Sequence, residues 1–441
     1  MSSSFDAILV GAGPAAIAAL SAMPPGLRLA IITGAASSPP QKGAKPHPKV
    51  SSVAFEYREE PGLTDFLPNS SANGPGLFST ASVGGLANYW GQQFVRYSAN
   101  DSWPDDIFDR YSDYAQACKQ VEAMFRLSPA PVSECERADD ATIIDGYSFR
   151  TPRLLIGTDV EPNSGLLAMR KKFQDLVTSL NLETIASRAV SWTVERSNVC
   201  VRLSNGETVK GRKLILAAGV VGTLRCILAA CSEISAVRFS DHAPYMLYTW
   251  GLGRLVRVER TDGLRHFNAL TIERLEGDRS QLFASVYRMR HAPLSLLLAV
   301  SGLPPMLRGW FAPSSADLIK PIQVWTETAK CQYRIDRDAG NLTLRDAPAA
   351  DDDETLRNFL VWLKHHLVTL KVAAARGGFH YHAGEVTADG ITYVPVRTFL
   401  EERFGDQVTC VDATVLKTVG CRPHSLTSMA AAYNLSRQVQ Q

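Results

Sequence analysis

The chain is 441 residues long, 45% hydrophobic and 20% charged, with a net charge of +2 and eight cysteines. That length is more than one hydrophobic core usually serves, so two connected domains are expected. The near balance of charge argues against a nucleic-acid partner, and no stretch approaches the ~20 uninterrupted apolar residues of a membrane-spanning helix. The cysteines stand singly, with no CxxC and no metal-like spacing; they read as free thiols of a reducing compartment, and no metal site is expected. The Ser-rich start becomes a strand almost at once and carries no secretory signal, so the expectation is a cytoplasmic protein of enzyme size.

The first predicted strand, Ala7 to Val10, runs into Gly11-x-Gly13-x-x-Ala16 and an Ala-rich helix from Ala15 to Met23. This is the order of a dinucleotide turn. Gly11 allows the tight turn, Gly13 lets backbone approach a pyrophosphate, and Ala16 lets the helix pack on the strand. The helix start at Pro14 and Ala15 offers N–H groups and a positive dipole end to phosphates. Leu27 to Ile32 reads as a second parallel strand. Such a strand usually ends in an acid that binds a ribose hydroxyl; here the position is Thr33, whose hydroxyl can still hydrogen-bond the ribose. Residues 35 to 52 read as loop.

A Gly-rich stretch follows, Ser82-Val83-Gly84-Gly85-Leu86-Ala87-Asn88-Tyr89-Trp90-Gly91, whose small residues let backbone approach something flat or charged. Taken alone it reads equally as a surface turn. Residues 106 to 126 read as a helix with Tyr111, Tyr114, Ala115, Cys118 and Val121 toward the core. Period-two alternation at Ala189–Val194 and Val199–Leu203, then the turn Ser204-Asn205-Gly206 and Thr208–Lys210, predicts a meander. Arg212 to Leu216 predicts a buried strand ending in Ala217-Ala218-Gly219. At Asp241-His242-Ala243-Pro244 the character changes, and 245 to 375 reads as mixed strand and helix. Within it, 291 to 311 is strongly apolar but broken by Gly302-Leu303-Pro304-Pro305. A buried helix pair, an apolar lid over a substrate channel and a shallow membrane contact all stay open there. A short strand from Gln407 to Val411 leads to Asp412-Ala413-Thr414, and Leu426 to Val439 reads as the closing helix.

Four separated pieces together resemble one family, the glucose-methanol-choline (GMC) flavin oxidoreductases, and in particular their shorter bacterial cholesterol-oxidase-like branch. Gly11-x-Gly13-x-x-Ala16 is similar to the FAD pyrophosphate turn, and Gly84-Gly85 through Trp90-Gly91 to the Gly-Gly…Trp-Gly segment along the flavin. Leu214 to Gly219 with Gly222-Thr223-Leu224-Arg225 resembles the stretch VILAAGAxGTPRLL. Asp412-Ala413-Thr414 with Leu426-Thr427-Ser428-Met429-Ala430 resembles the closing signature DASxxPxxxxNPxLTxMALA, and Asp241-His242 a DHP element. The pieces run in the family's order from one end of the chain to the other.

The resemblance implies an α/β fold. A Rossmann-like FAD-binding domain would be discontinuous in sequence (1–105, 185–240 and 385–441), with a helical or irregular bridge (106–184) and a second, α+β substrate domain carrying an antiparallel sheet (241–384). It implies FAD rather than NAD, since the contacts recur near 84, 190, 219 and 412. Gly11, Gly13, Pro14, Ala15 and Ala16 would bracket the pyrophosphate, and Thr33 would meet the ribose. Gly84, Gly85, Ala87, Asn88, Trp90 and Gly91 would lie along the flavin, with Val190 near the adenine and Ala217, Ala218 and Gly219 as further cofactor contacts. Asp412 and Ala413 would reach the ribityl or pyrophosphate region, and Ser425 would be a further cofactor contact. Covalent attachment stays open, with His47 and the cysteines as candidates in principle.

The family's catalytic histidine has its counterpart in the element Gly378 to Gly384, as His382, with His380 the alternate. An imidazole there would take the hydroxyl proton while hydride leaves the same carbon for the flavin. The sequence departs from the family at several points. The second active-site Asn or His, eleven residues after Asp412, falls on Pro423, with His424 beside it to serve; the signature proline is Lys417; and the His element lacks its proline. The implied reaction is oxidation of an alcohol, with oxygen or another carrier as electron acceptor; a hydrophobic channel built from 245 to 375 motivates a bulky, apolar small-molecule substrate. A second reading keeps the flavin but makes the chain an isomerase, cyclase or desaturase of specialised metabolism, with His382 or Glu327 moving protons. A third makes it a redox-inactive flavoprotein scaffold.

Overall fold

The computed structural model describes residues 4–34, 63–65, 78–89, 93–128, 142–156, 168–242, 244–250, 268–277, 279–287, 319–327, 330–337, 342–346, 353–366, 368–373 and 380–438. The loop 35–52, His47, Trp90, Gly91 and the apolar stretch 291–311 lie outside the described residues. In chain order, the first unit opens with β1 (Phe5–Val10), α1 (Pro14–Ala22), β2 (Leu29–Ile32) and α2 (Tyr111–Glu122). It continues through β3 (Glu183–Ile185), β4 (Ala189–Glu195), β5 (Asn198–Leu203), β6 (Thr208–Leu216) and α3 (Gly219–Ala230). Then come β7 (Ala236–His242), β8 (Tyr245–Trp250), β9 (Asn268–Glu276), β10 (Arg279–Tyr287), β11 (Ile319–Thr326), β12 (Lys330–Asp336) and α4 (Glu354–His366). The chain closes with β13 (Tyr381–Thr387), β14 (Val408–Cys410) and α5 (Ser425–Gln438).

The apolar runs that alternate least become the parallel core. β1, buried on both faces from Ala7 on, pairs in parallel with β2 and β6; β3 extends the sheet beyond β2, and β14 pairs with β6. Burial on both faces is what a continuous Val/Ile/Leu run permits and an alternating run does not. The order β4-β5-β6-β1-β2-β3 is Rossmann-like, with the meander β4–β5–β6 as its antiparallel wing. The sequence reading broke Thr208–Lys210 from the strand at Arg212, but the structure runs them as one strand. Gly211 makes this possible: a Cβ there would sit 2.8 Å from Ile8 Cγ1, so only glycine lets β6 continue past β1.

The second unit is antiparallel. Tyr147–Arg150 and Thr142–Ile144, from the segment read as helical or irregular, join β9, β10, β11, β8 and Val368–Ala373 in one sheet. A smaller sheet holds β12, β7 and β13 side by side. Alternation sorts the larger sheet's two faces. Leu270, Ile272, Leu282, Ala284, Val286, Ile322 and Val324 pack on Phe359 and Leu363 of α4. The opposite face carries Glu273, Phe283, Ser285, Gln323 and Trp325, and it looks toward the closing segment before α5 through Cys421. The fold is thus α/β, with a discontinuous Rossmann-like sheet and a second α+β unit carrying an antiparallel sheet. Among the described residues no helix is long and apolar enough to cross a membrane, and the seven described cysteines are buried, free thiols.

Candidate functional site

The parallel strands end level. Val10 pairs with Ile32 and Leu216, Ile32 with Ile185, and Leu216 with Cys410. The residues that follow therefore share one edge: Gly11, Thr33, Ala217 and, one residue further, Asp412. The crevice beyond the carboxyl ends of such strands is where open α/β sheets bind their ligands. Four pieces far apart in sequence meet there because of strand register.

The turn itself is built from close backbone contacts. Gly11 has φ 126°, and a Cβ on it would lie 2.1 Å from the Ala217 carbonyl oxygen. Gly84 N donates to the Ala12 carbonyl at 2.8 Å, and Gly85, at φ 59°, would put a Cβ 3.2 Å from Gly13 Cα. The Gly-rich stretch is therefore a wall of the turn and not a surface loop. Gly13 and Pro14 remain partly open, Ala15 and Ala16 are buried, and Gly219 is exposed with free space beside it. Among the described residues helix α1 has no side-chain cap and no acid in its first turn, which leaves its N-terminal N–H groups and dipole to the crevice. Those features fit a pyrophosphate.

The other predicted cofactor residues vary in what they present. Thr33 is buried, with its N–H on the Ile185 carbonyl at 3.0 Å. Val190 is half-buried at a bulge between β4 and β5. Ala87 is buried and Asn88 belongs to the same short helical turn, Gly85–Tyr89. Ala218, Ala413 and Ser425 are half-buried along the crevice. Asp412 is fully enclosed: its Oδ2 accepts from Thr223 Oγ1 at 2.5 Å and its Oδ1 from Thr414 N at 3.0 Å, with the Thr414 hydroxyl also on Oδ1. Burial pushes this carboxyl up, against those hydrogen bonds. Its carboxylate caps the turn Ala413–Val415 and ties it to α3.

The histidines come together on the far side of that turn. His382 is buried on β13, His380 just precedes it, and His424 immediately precedes α5. The His382 and His424 ring centroids are 6.0 Å apart, those of His380 and His424 6.1 Å, and Trp325 stands edge-on to His380 at 5.5 Å. A bulge aims His382: Ala383 and Gly384 together face Phe239, and Ala383 takes φ 52°, a left-handed conformation that costs a non-glycine residue about 1 kcal/mol or more. The His382 Nδ1–H donates to the His380 carbonyl at 3.3 Å, which leaves Nε2 as the basic nitrogen. His380 N is itself held by Asp241 Oδ1 at 2.9 Å. His424 Nδ1 is buried with no hydrogen-bond partner among the described residues. His242, singled out with Asp241, is fully buried and bonds through Nε2 to the Thr326 carbonyl at 3.1 Å. These rings do not form a group that could hold a metal ion among the described residues.

Gly384 joins the two halves of the site. A Cβ there would lie 2.1 Å from Thr414 Cγ2 and 3.2 Å from Leu224 Cδ2. Gly384→Ala is expected to lose roughly 3 kcal/mol or more through overpacking. Adding Thr414→Ser, which removes Cγ2 but keeps the hydroxyl on Asp412, should recover a large part of that loss. Thermal melts of the single and double variants check the pairing.

The pH response has a definite sign. Burial pushes His424 down to about 4 from 6.5, and burial followed by the nearby His424 and His242 pushes His380 well below its ordinary value. A histidine depressed in the fold stays neutral there while the unfolded chain takes up the proton. The stability it contributes is complete above about pH 6.5 and is lost as pH falls toward 4, roughly 3 kcal/mol for His424 over the whole span. The melting temperature is expected to drop between pH 6.5 and 4.5, and to drop less steeply in His424→Gln. Equal slopes in the two proteins would remove His424 as the source.

Sequence reasoning missed what holds these groups. Gln93 bridges the units, its Nε2 donating to Ser285 Oγ at 2.6 Å, and Tyr114 OH bonds Thr427 Oγ1 at 2.8 Å near the start of α5. Arg422, Glu273 and Asp101 form a buried ion triad next to His424. A lone arginine between Cys421 and Pro423 was the available signal; its partners lie 149 and 321 residues away. Glu327, a proposed proton carrier, has both oxygens on Arg279, at 2.7 and 2.9 Å. Lys417, in place of the signature proline, pairs with Asp106 at 3.3 Å.

No family profile matches the chain, and no curated protein matches it by sequence. Among solved structures it is similar to pyridoxine 4-oxidase from Mesorbium loti, with a TM-score of 0.59 and 14% identity over 98% of this chain and 99% of that one. From one end to the other, this chain has the fold of pyridoxine 4-oxidase.

Proposed function

We propose that the chain is an FAD-dependent oxidoreductase of the GMC type, oxidising an alcohol with His382 as base. One contact carries the reading: Gly384, two residues after His382, packs on Thr414 of the Asp412 turn, so the strand that bears His382 is a direct neighbour of the turn that follows the parallel sheet. The end-to-end likeness to an oxidase supports the same class. Gly11, Gly13, Pro14, Ala15 and Ala16 would hold the pyrophosphate, with Gly84, Gly85 and Ala413 along the remainder. FAD, when bound, supplies the hydride acceptor. His382 Nε2 takes the hydroxyl proton, its ring fixed by the Nδ1–H bond to the His380 carbonyl. His424 and His380, kept neutral by burial, can each accept or donate one hydrogen bond to the alcohol oxygen, and neutrality leaves either ring able to receive a proton.

The substrate reading moves away from a bulky apolar molecule. That expectation rests on a hydrophobic channel read across 245–375, and its most apolar stretch, 291–311, lies outside the described residues. The described face presents Gln93, Ser285, Tyr287 and Gln323, bonded in pairs, beside Phe283 and Trp325, which favours an alcohol with polar groups of its own. The redox-neutral alternative loses Glu327 to Arg279, and with it the second proton carrier. The deciding experiment is an absorbance spectrum of the purified protein, repeated after denaturation and after anaerobic addition of polar and apolar alcohols. Flavin bands that bleach with an alcohol support the proposal. A flavin that no alcohol bleaches returns the redox-neutral reading, and a protein that cannot take up FAD removes both.

A further inference from the structure

The chemistry proposed for the histidines leaves a buried charge unused. Arg422, two residues before His424, is buried among groups from both units. Its Nε donates to Glu273 Oε1 at 2.8 Å; its Nη1 donates to Asp101 Oδ2 at 2.7 Å and to the Arg96 carbonyl at 3.1 Å. Its own carbonyl accepts from Tyr97 OH at 3.0 Å. Burial opposes the charge, yet Glu273 and Asp101 hold the guanidinium above its ordinary pKa. Glu273 lies on β9, and the other Asp101 oxygen accepts Ser280 N of β10 at 2.8 Å. Cys421 Sγ reaches the Ser280 carbonyl at 3.0 Å. The side chains of Cys421 and Arg422 are therefore tied to the β9–β10 hairpin, directly and through Asp101, and the Arg422 main chain to Tyr97. Folding does not demand such a triad, since apolar residues of the same volume often serve stability as well or better. A forked cation between two carboxylates does impose one geometry.

We propose that Arg422 is a positioning residue: by binding Glu273 and Asp101 together it fixes the segment Cys421–His424 so that the His424 ring stands against His382 and His380. The kinetic arm of the test rests on the oxidoreductase reading; the spectroscopic arm does not. Arg422→Lys keeps the charge, but a single ammonium cannot reproduce the fork. In the flavin-loaded protein, this substitution is expected to lower the limiting rate of anaerobic flavin reduction by an alcohol about 10- to 100-fold. Substrate affinity should stay within about threefold and flavin content should not change. In a His424→Ala background the same substitution should cost less than about threefold, because its target is gone. Equal losses in both backgrounds overturn the proposal.

The second arm follows histidine ring signals by NMR across pH. In Arg422→Lys the loosened segment admits water, and the His424 midpoint rises toward 6.5. Glu273→Gln keeps Asp101 and the Arg96 carbonyl on Arg422 and should shift the midpoint in the same direction by less, which covers the case of an Arg422→Lys protein that does not fold. An unmoved His424 midpoint in the variants sinks the proposal whatever the reaction. If no alcohol reduces the wild-type flavin, the functional reading falls and the titration alone decides Arg422.

Discussion

Gly11→Ala is expected to yield a protein that neither holds flavin nor keeps its fold. The added Cβ would lie 2.1 Å from the Ala217 oxygen and 2.5 Å from its carbon, both backbone atoms at the end of β6. Neither can step aside. Ala217 N is bonded to the Val10 carbonyl at 2.8 Å and Gly11 N to the Ile32 carbonyl at 2.9 Å, so relief means parting the central strands. The φ of 126° is also closed to an L side chain. Together these should cost several kcal/mol, a large share of the stability of any domain. Gly13→Ala should behave in the opposite way. Among the described residues its Cβ would meet Gly85 Cα alone, at an ordinary 3.8 Å, so the apo protein should melt within about a degree or two of wild type. The methyl would instead project where a pyrophosphate must approach, and flavin content should fall tenfold or more. Flavin-to-protein absorbance ratios and melts of the two variants test both statements. Full flavin in Gly13→Ala would move the pyrophosphate away from this turn; a wild-type melt for Gly11→Ala would contradict the packing of β1 on β6.

These two glycines were legible in the sequence because a strand–turn–helix is local: its chemistry is written within a dozen residues. The same holds for α1, β4, β5 and α5, whose ends differ from the predicted ones by a residue or two. Gly384 was noticed for its place beside His382, but its physical necessity comes from Thr414, thirty residues on, and no local pattern announces such a contact. Asp412 was read as a ligand group, and only the fold reveals Thr223 and Thr414 on its two oxygens. The polar face of the larger sheet was hidden for a related reason. Alternation in β10 and β11 marks two faces, but which one looks toward the histidines depends on α4 covering the other. His424 was offered as a neighbour of Pro423 by a count along the chain; its approach to His382 follows from the Arg422 triad, whose members the sequence scatters.

His382→Ala is expected to slow anaerobic flavin reduction by an alcohol about 10²- to 10⁴-fold, the range that loss of a positioned base produces, with flavin content unchanged. The argument is geometric. His382 is the one ring of the three whose aim is set twice: by the Ala383–Gly384 bulge that turns it, and by the Nδ1–H bond that leaves Nε2 basic. His380 keeps part of its surface open, but its imidazole stands edge-on to Trp325 and its backbone N–H is committed to Asp241, so His380→Ala should cost less than His382→Ala. Truncating His382 to alanine leaves a cavity, and some stability will go with it. His382→Asn, which refills much of that space and keeps a hydrogen-bonding group without a base of useful pKa, separates the two effects. It should melt close to wild type and still reduce flavin at the slow rate. If the His382→Asn protein works as fast as the wild type, proton removal lies with His380 or His424. If both His382 variants and both neighbours bleach the flavin at one common rate, the hydroxyl proton leaves without a side-chain base, and the histidine cluster serves to orient the alcohol alone.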